Sequence, residues 1–407
     1  MSTPIEVQAG PGQPLGMSTQ DFLRDYWQKR PLLIRCALAD FAPPLTPEDL
    51  AGLACEEAAL SRLIVRDPAG DSWSVRSGPF DDADFAQLPE SHWTLLVQDV
   101  DKWDMDVSAL LERFRFLPRW RVDDVMISYA VDGGGVGAHV DQYDVFLVQG
   151  LGRRRWRISD DARAPKTFRP ELELKILAEF TPTHDWVLEP GDMLYLPPGF
   201  AHDGVAVGDC MTFSVGMRAP ALAEMLGDLV DTLVEPLSED DRYTDADLAP
   251  AADPYEIDAA SLSRVEHAVA ALREMDNARL HDWFGRYITS YRCAQTALAP
   301  PRIVTATELD AALARGAGIV RFPWARTAWL DATPTGRADC AGSGDATLYV
   351  AGSSHICSGA FARLICEQRE IAATELQTLG GADKTVLLAL VNQGQLVLTR
   401  PQRRSRR

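Results

Sequence analysis

The tightest constraint on this chain is a glycine run followed at once by a close-set histidine and aspartate. Residues 133–141 read GGGVGAHVD, and a second histidine, His202, follows the turn sequence LPPGF 63 residues after His139. In a strand, residues i and i+2 point to the same face, so His139 and Asp141 can reach one point while Val140 turns away. A third ligand must then come from a neighbouring strand, and the prolines and glycine ahead of His202 mark a turn into one. Two imidazoles and one carboxylate on one face of an octahedron leave three positions open, enough for a bidentate α-keto acid and O₂. That is the ligand set of non-haem Fe(II) oxygenases. Zinc and manganese cupins draw on the same residue types, and an isolated HxD is common. The weight comes from the conjunction of glycine run, HxD, distant histidine and the β texture between them.

That texture extends well beyond the motif. SRLIVRD, WSVRSG and HWTLLVQDV read as strands in residues 61–100, and DDVMISYAV is a strand entering the glycine run. From there to about 218, DVFLVQG, RRRWRIS, DWVLEP, DMLYLPP and TFSVGMR are short runs between Gly, Pro and Asp turns. Such density predicts an antiparallel sandwich or barrel rather than alternating β/α units. Ser18 or Thr19 can cap a short helix through Tyr26, with PLLIR a strand after it, and VSALLERFRFL has helical spacing at Val107, Leu110, Leu111 and Phe114.

After Ala219 the period changes to helical. PALAEMLGDLVDTLVE and SLSRVEHAVAALREMDNARLHDWFGRYITSY predict helices, separated by the acidic, proline-containing loop PLSEDDRYTDADLAPAADPYE. Paired helices appended to a barrel can form a dimerisation unit or pack on their own barrel; periodicity does not separate the two. A second boundary falls near 300, at TALAPPRIV. Beyond it a helix beginning TATELDAALARG, strand-like GIVRFPW, TAWLDA and ATLYVAG, helices in AFARLICEQ and ATELQTLG, and a closing helix–turn–strand resemble a winged helix.

Bulk properties exclude several classes. No apolar run reaches the ~18 residues needed to cross a bilayer, and the N-terminus lacks the regions of a signal peptide, so the expected location is cytoplasmic. The seven cysteines are scattered without a CxxC, against a disulfide framework or a thiolate zinc site. The net charge of −19 disfavours direct nucleic-acid binding and suits a basic partner, although it also serves solubility. The terminal RPQRRSRR is a short basic tail of opposite sign.

An α-keto acid needs a cation for its far carboxylate, and the arginines at 153–155 supply candidates, since guanidinium holds a carboxylate bidentately. Strand parity puts Arg153, Arg155 and Arg157 on one face and Arg154 with Trp156 on the other, without saying which face is inward.

The segments FLRDYWQKRPLLIR, DDVMISYAVDGGGVGAHVDQYDVFLVQGLGRRRWRIS, LEPGDMLYLPPGFAHDG and TFSVGMRAP resemble the bacterial ribosomal oxygenases, cupin-type JmjC-domain hydroxylases that use 2-oxoglutarate and Fe(II). The resemblance implies an α+β chain in three parts. These are a double-stranded β-helix (cupin/JmjC) catalytic domain at 1–218, a helical dimerisation region at 219–298 and a winged-helix domain at 299–407. It implies His139, Asp141 and His202 as iron ligands and catalytic residues, with O₂ and 2-oxoglutarate as co-substrates. Arg154 becomes the 2-oxoglutarate cation, with Ser128 and Met126 lining the pocket. Thr212 stands where relatives often carry Asn, and Ala130 where Ser is common. The implied substrate is an arginine side chain of a ribosomal protein, uL16, and the implied assembly a homodimer. An arginine target calls for carboxylates near the metal. Asp132 is the first candidate, equally well read as a turn residue capping the glycine loop, and Asp144 the weaker, since its parity opposes that of Asp141. Competing readings are a histidyl hydroxylase of another ribosomal protein, a lysyl demethylase, and a non-catalytic winged-helix binding protein.

Overall fold

In the computed structural model the chain forms two compact units, residues 1–219 and 220–407. The structure describes residues 4–69, 71–238, 240–246, 248, 250, 257–270, 275–331 and 344–399. The basic tail, residues 271–274 of the long helical run and parts of the acidic loop lie outside the described residues.

Eleven described strands make the sheet of the first unit. They are β1 (Glu6–Gln8), β2 (Leu32–Arg35), β3 (Ser61–Asp67), β4 (Ser72–Ser77), β5 (Trp93–Val97), β6 (Val122–Ala130), β7 (His139–Val140), β8 (Val145–Ile158), β9 (His184–Leu188), β10 (Met193–Leu196) and β11 (Ala201–Met217). Their order is β1-β2-β10-β8-β11-β6-β5-β3-β4, with β7 added to β11 and β9 to β8. Every pairing is antiparallel except β1–β2. The two long strands are what make it a double-stranded β-helix. β8 is interrupted at Gly152 (φ 59°) and β11 at Gly208 (φ 71°), where the register between them shifts. The first half of β8 pairs with β10 and the second half of β11, which pairs on with β6. The second half of β8 pairs with β9 and the first half of β11, which pairs on with β7. Two sheets therefore share the same two strands, and the bend between them creates an interior.

Alternation along the strands sorts side chains onto two cores. Val125, Ile127, Phe146, Val148, Phe213 and Val215 pack outside the first sheet with Phe22, Leu50, Val100 and Phe114 from the covering helices. Val145, Leu147, Trp156, Ile158, Leu194 and Leu196 face the interior. The first helix runs Thr19–Asp25 with Ser18 as its cap, accepting the Asp21 amide, as the sequence pattern predicts. The predicted helix in VSALLERFRFL is α-helical only over Met105–Leu110 and tightens into a 3₁₀ turn at Leu111–Phe114.

In the second unit, helices Leu222–Val234, Ala259–Ala268 and Asn277–Ser290 precede a small α+β core. The predicted 261–291 helical run is not continuous, because Asp276 caps a new helix by accepting the Arg279 amide. Thr305 and Glu308 form a reciprocal capping box that starts helix Ala306–Ala314. Strands β12 (Ile319–Arg321), β13 (Thr327–Asp331), β14 (Asp345–Val350), β15 (Ser353–Ser358), β16 (Glu370–Ile371) and β17 (Leu396–Leu398) form two three-stranded sheets, β16-β12-β17 and β13-β14-β15. Helices Gly359–Glu367 and Gly381–Asn392 bury Phe361, Ile365, Leu387 and Leu390 against them. The expected division at 298/299 does not coincide with a packing boundary. Helix Asn277–Ser290 belongs with the later strands, since Gly285 lies against the Tyr349 ring and the Gly352 amide donates to Thr289.

Candidate active site

The glycine run has a steric cause. A Cβ on Gly134 would come 2.1 Å from the Trp93 carbonyl, and one on Gly135 2.5 Å from the Gly204 carbonyl, so the loop can lie flat across β11 only without side chains. This close passage delivers β7 to the start of β11, where His139 and His202 sit directly opposite each other in register. Opposed residues of an antiparallel pair share a face, and Asp141 shares it by parity. The imidazole centroids are 4.2 Å apart, and Asp141 Oδ2 lies 3.9 Å from His139 Nε2 and 3.6 Å from His202 Nε2.

Each imidazole is oriented by its other nitrogen. His139 Nδ1 donates to the Gly137 carbonyl at 2.8 Å and His202 Nδ1 to the Phe200 carbonyl at 3.0 Å. A carbonyl only accepts, so Nδ1 carries the proton and both Nε2 lone pairs converge on Asp141. Burial, with the His139 ring adding to it, pushes the His202 pKa down to about 4, which keeps the ring neutral at physiological pH. The three ligand atoms lie within 4.8 Å of one another, and the donor set of two imidazoles and a carboxylate fits a divalent iron with open positions.

Deeper in the interior, Arg154 is 3% exposed. Its Nη1 lies 3.3 Å from Ser128 Oγ and its Nη2 donates to the Gly204 carbonyl at 3.1 Å, while Nε is buried without a partner. Its guanidinium also stacks on the Trp156 ring, 5.1 Å from the centroid. Burial lowers the Arg154 pKa, the signature of a desolvated cation short of an anion. This pocket fits the carboxylate of a keto acid. The other arginines of the run turn outward, where Arg155 pairs with Asp185 and Arg157 with Asp203.

Ser128 and Thr212 are opposed in register on the inward face, and Thr212 Oγ1 donates to Gln149 Oε1 at 3.1 Å. Ala130 packs with Ala206 and Cys210 at the small-residue end of the interior. Met126 lies between the two ends, opposite Ser214.

The two candidate substrate carboxylates are elsewhere. Asp132 is exposed and holds a turn, its Oδ1 accepting the Gly208 amide at 2.8 Å and its carbonyl the His92 amide at 2.8 Å. Gly208 is six residues along β11 from His202, roughly 20 Å at the rise of a strand. Asp144 is fully buried on the opposite face of β8, taking Tyr195 Oη at 2.6 Å, Gln28 Nε2 at 2.9 Å and Arg121 Nη2 at 3.1 Å. Both are structural.

The carboxylate that does face the interior is Asp124, which sequence reasoning missed. It shares the inward face of β6 with Met126 and Ser128, two and four residues on. Its Oδ1 leans toward Gly216, whose Cβ would lie 3.2 Å away. Desolvation, reinforced by Asp123 and Asp99, pushes its pKa up to about 7. Tyr143 feels the negative charges of Asp141 and Asp124, and burial and those charges push its hydroxyl pKa up. The signal was available, because Met126 and Ser128 were singled out and the same parity two residues earlier reaches Asp124. From Asp124 to Ser128 is about 13 Å along the strand, room for a metal and a small co-substrate between a mouth and a floor.

The JmjC domain family matches residues 109–225, and the ROXA-like winged helix matches residues 271–396. Over 308 residues, 76% of this chain and 81% of the relative, the chain is 38% identical to the ribosomal protein uL16 3-hydroxylase of Escherichia coli K12. The chain belongs to the JmjC-domain ribosomal oxygenase family. A probable ribosomal oxygenase of Haemophilus influenzae is 42% identical over 214 residues, 52% of each chain. An X-ray structure of E. coli YcfD aligns with a TM-score of 0.79 at 33% identity, covering 94% of this chain and 98% of that one. A second YcfD structure, described as a ribosomal oxygenase in complex with cobalt and 2-oxoglutarate, aligns with a TM-score of 0.75 at 33% identity and the same coverage. The winged-helix match starts ahead of helix Asn277–Ser290, in agreement with the packing of that helix on the later strands.

Proposed function

We propose that this ribosomal oxygenase is a 2-oxoglutarate- and Fe(II)-dependent hydroxylase acting on an arginine side chain of a ribosomal protein, with uL16 as substrate. The observation that carries the reading is one interior holding three groups: a buried guanidinium with no carboxylate partner, a His-Asp-His cluster, and the half-buried carboxylate of Asp124. The relatives' names and the cobalt–2-oxoglutarate complex of YcfD supply the chemistry that fits.

When bound, Fe(II) with 2-oxoglutarate and O₂ supplies insertion of one oxygen atom into an unactivated C–H bond, with CO₂ and succinate as by-products. His139, Asp141 and His202 hold the metal through Nε2, carboxylate and Nε2. Arg154, with Ser128 and Thr212 beside it, holds the far carboxylate of the keto acid, and Met126 lines the wall. Asp124 receives the substrate guanidinium and so directs the side chain's carbons toward the metal; positioning of this kind is a large part of catalysis by an enclosed site. The apolar interior of Leu147, Trp156, Ile158 and Leu194 excludes water from the oxidant.

The second unit supports a homodimer. Leu222, Leu226, Val230 and Val234 make a four-residue-spaced apolar stripe on helix Leu222–Val234, 76%, 61%, 42% and 48% exposed, and Leu262 and Val265 of helix Ala259–Ala268 are exposed as well. The same helix uses its polar side within the chain, Asp228 accepting Trp283 Nε1 and Glu224 accepting Tyr291 Oη. We assign the winged helix to protein contact, in keeping with the acidic balance. No helix among the described residues is long and apolar enough to cross a membrane, and a ribosomal substrate supports a cytoplasmic location.

The test is incubation with uL16 peptide, Fe(II) and 2-oxoglutarate. The expected result is a gain of one oxygen mass on an arginine, abolished in His139→Ala. Gain on histidyl peptides only, or formaldehyde release from methyl-lysine peptides, would move the chain to another reaction.

A further inference from the structure

We propose that the segment Asp99–Lys102 is a positioning clamp that orients the Asp124 carboxylate for the substrate guanidinium; the inference rests on the arginine reading above. The segment leaves β5 and turns into the short helix Val100–Trp103. It turns at Asp99, a non-glycine residue in the left-handed region (φ 56°, ψ 25°). That turn aims the Asp99 amide out of the chain, where it donates to Asp124 Oδ2 at 3.0 Å.

Two further contacts fix the same stretch of β6. Asp101 Oδ1 accepts the Val125 amide at 2.9 Å, and Lys102 Nζ donates to the Asp123 carbonyl at 3.2 Å. Asp101 and Lys102 are bound to each other in a close ion pair and are 2% and 8% exposed, with Asp99 3.9 Å from the ammonium. One four-residue segment thus grips the backbone before Asp124, its side chain and the backbone after it. β5 pairs with β6 only from Ile127 onward, so over residues 123–125 this segment takes the place of a strand on one side while β11 pairs on the other.

Its effect falls on one side chain. Committing Oδ2 to the amide leaves Oδ1 toward Gly216 on the inward side. The charges around Asp124 are Asp123, Asp99 and Asp101 with Lys102 opposing them, and Arg218 pairs with Asp123 at 3.2 Å. Lys102 and Arg218 pair with Asp101 and Asp123, so the contribution of Asp99 is its backbone amide, which selects the rotamer of Asp124 that meets a cation.

The experiment measures steady-state kinetics of the full Fe(II)-loaded chain on a uL16 arginyl peptide, with anaerobic peptide binding by fluorescence anisotropy. Asp99→Gly keeps the left-handed turn and is expected to leave the peptide KM within about twofold. Asp99→Val, whose β-branched side chain rejects that turn, is expected to raise the peptide KM about tenfold, with kcat and the 2-oxoglutarate KM within about twofold. Should Asp99→Val fail to fold, Asp99→Ala is the milder strain, with a rise of about threefold expected. A peptide KM unmoved by Asp99→Val or Asp99→Ala, or a parallel loss of kcat and both KM values, overturns the clamp. Asp124→Asn separates the two ideas: it should raise the peptide KM by more than tenfold, and if it does not, the arginine reading falls first.

Discussion

Single side chains divide the site into separable functions. Arg154 is a buried cation whose local partners are a hydroxyl, a carbonyl and an aromatic face. Arg154→Met removes charge-assisted hydrogen bonds worth about 3 kcal/mol, so the 2-oxoglutarate KM should rise by roughly two orders of magnitude. Metal affinity, read by binding of a spectroscopic dication such as cobalt without co-substrate, should hold. Desolvation pushes the Asp124 pKa up to about 7, well above the usual carboxylate range. A carboxyl raised in this way favours folding at low pH, and that contribution is lost as pH rises through about 7. Asp124→Asn removes the group, so thermal melts of metal-free protein should show the variant gaining on wild type between pH 5 and pH 8. Peptide binding by metal-free wild type should strengthen over the same interval as the carboxyl ionises. A flat profile in both measurements would contradict the burial of this group.

At the level of elements, β11 does most to build the site. Its first half carries His202 and Gly204 and its second half Thr212 and Ser214, while the break at Gly208 swings the halves onto different sheets. Gly204 is a contact point, since a Cβ there would lie 2.6 Å from Trp156 Cζ3 and 2.8 Å from Arg154 Nε. Gly204→Ala should therefore displace Arg154 and Trp156, raising the 2-oxoglutarate KM at least tenfold while leaving cobalt binding by the three ligands largely intact. Equal loss of both would mean that the strand itself had moved. Asp144 does a different job from the same sheet, tying β8 to Tyr195 of β10, to Gln28 and to Arg121. Asp144→Ala leaves the buried Tyr195 hydroxyl without its acceptor and should cost about 1–3 kcal/mol of stability, measured by urea unfolding.

For the whole molecule, the apolar stripe on helix Leu222–Val234 is the feature that a lone chain does not account for. Leu226→Glu with Val230→Glu places charges in the middle of it. Light scattering should show dimeric wild type and monomeric variant, each with unchanged circular dichroism. A variant of unchanged mass would remove this face from the interface. The net charge of −19 acts at the same scale. It favours encounter with a basic ribosomal protein and repels nucleic acid, so the association rate with uL16 should fall steeply with salt.

How much of this was legible before folding differs by feature. The metal ligands were readable because HxD needs only strand parity, and a histidine after LPPGF needs only a turn. The double-stranded β-helix and winged helix followed from runs, turns and the resemblance of long segments. The inward face of the arginine strand was not readable from period alone, since parity is blind to which side is covered; the pairing of β8 with β9 and β11 decided it. The inward-facing carboxylate was not readable from the glycine run for a related reason. Asp132 adjoins the glycine run in sequence, yet the loop turns it toward Gly208, whereas Asp124 reaches the mouth because it stands on the face of β6 that also carries Ser128. The boundary drawn at 298/299 rests on a change of period, which marks where helices end and not what they pack on. Local chemistry is written in neighbouring residues. Which side chains share an interior depends on strands far apart in the chain, and only their hydrogen-bonded register settles that.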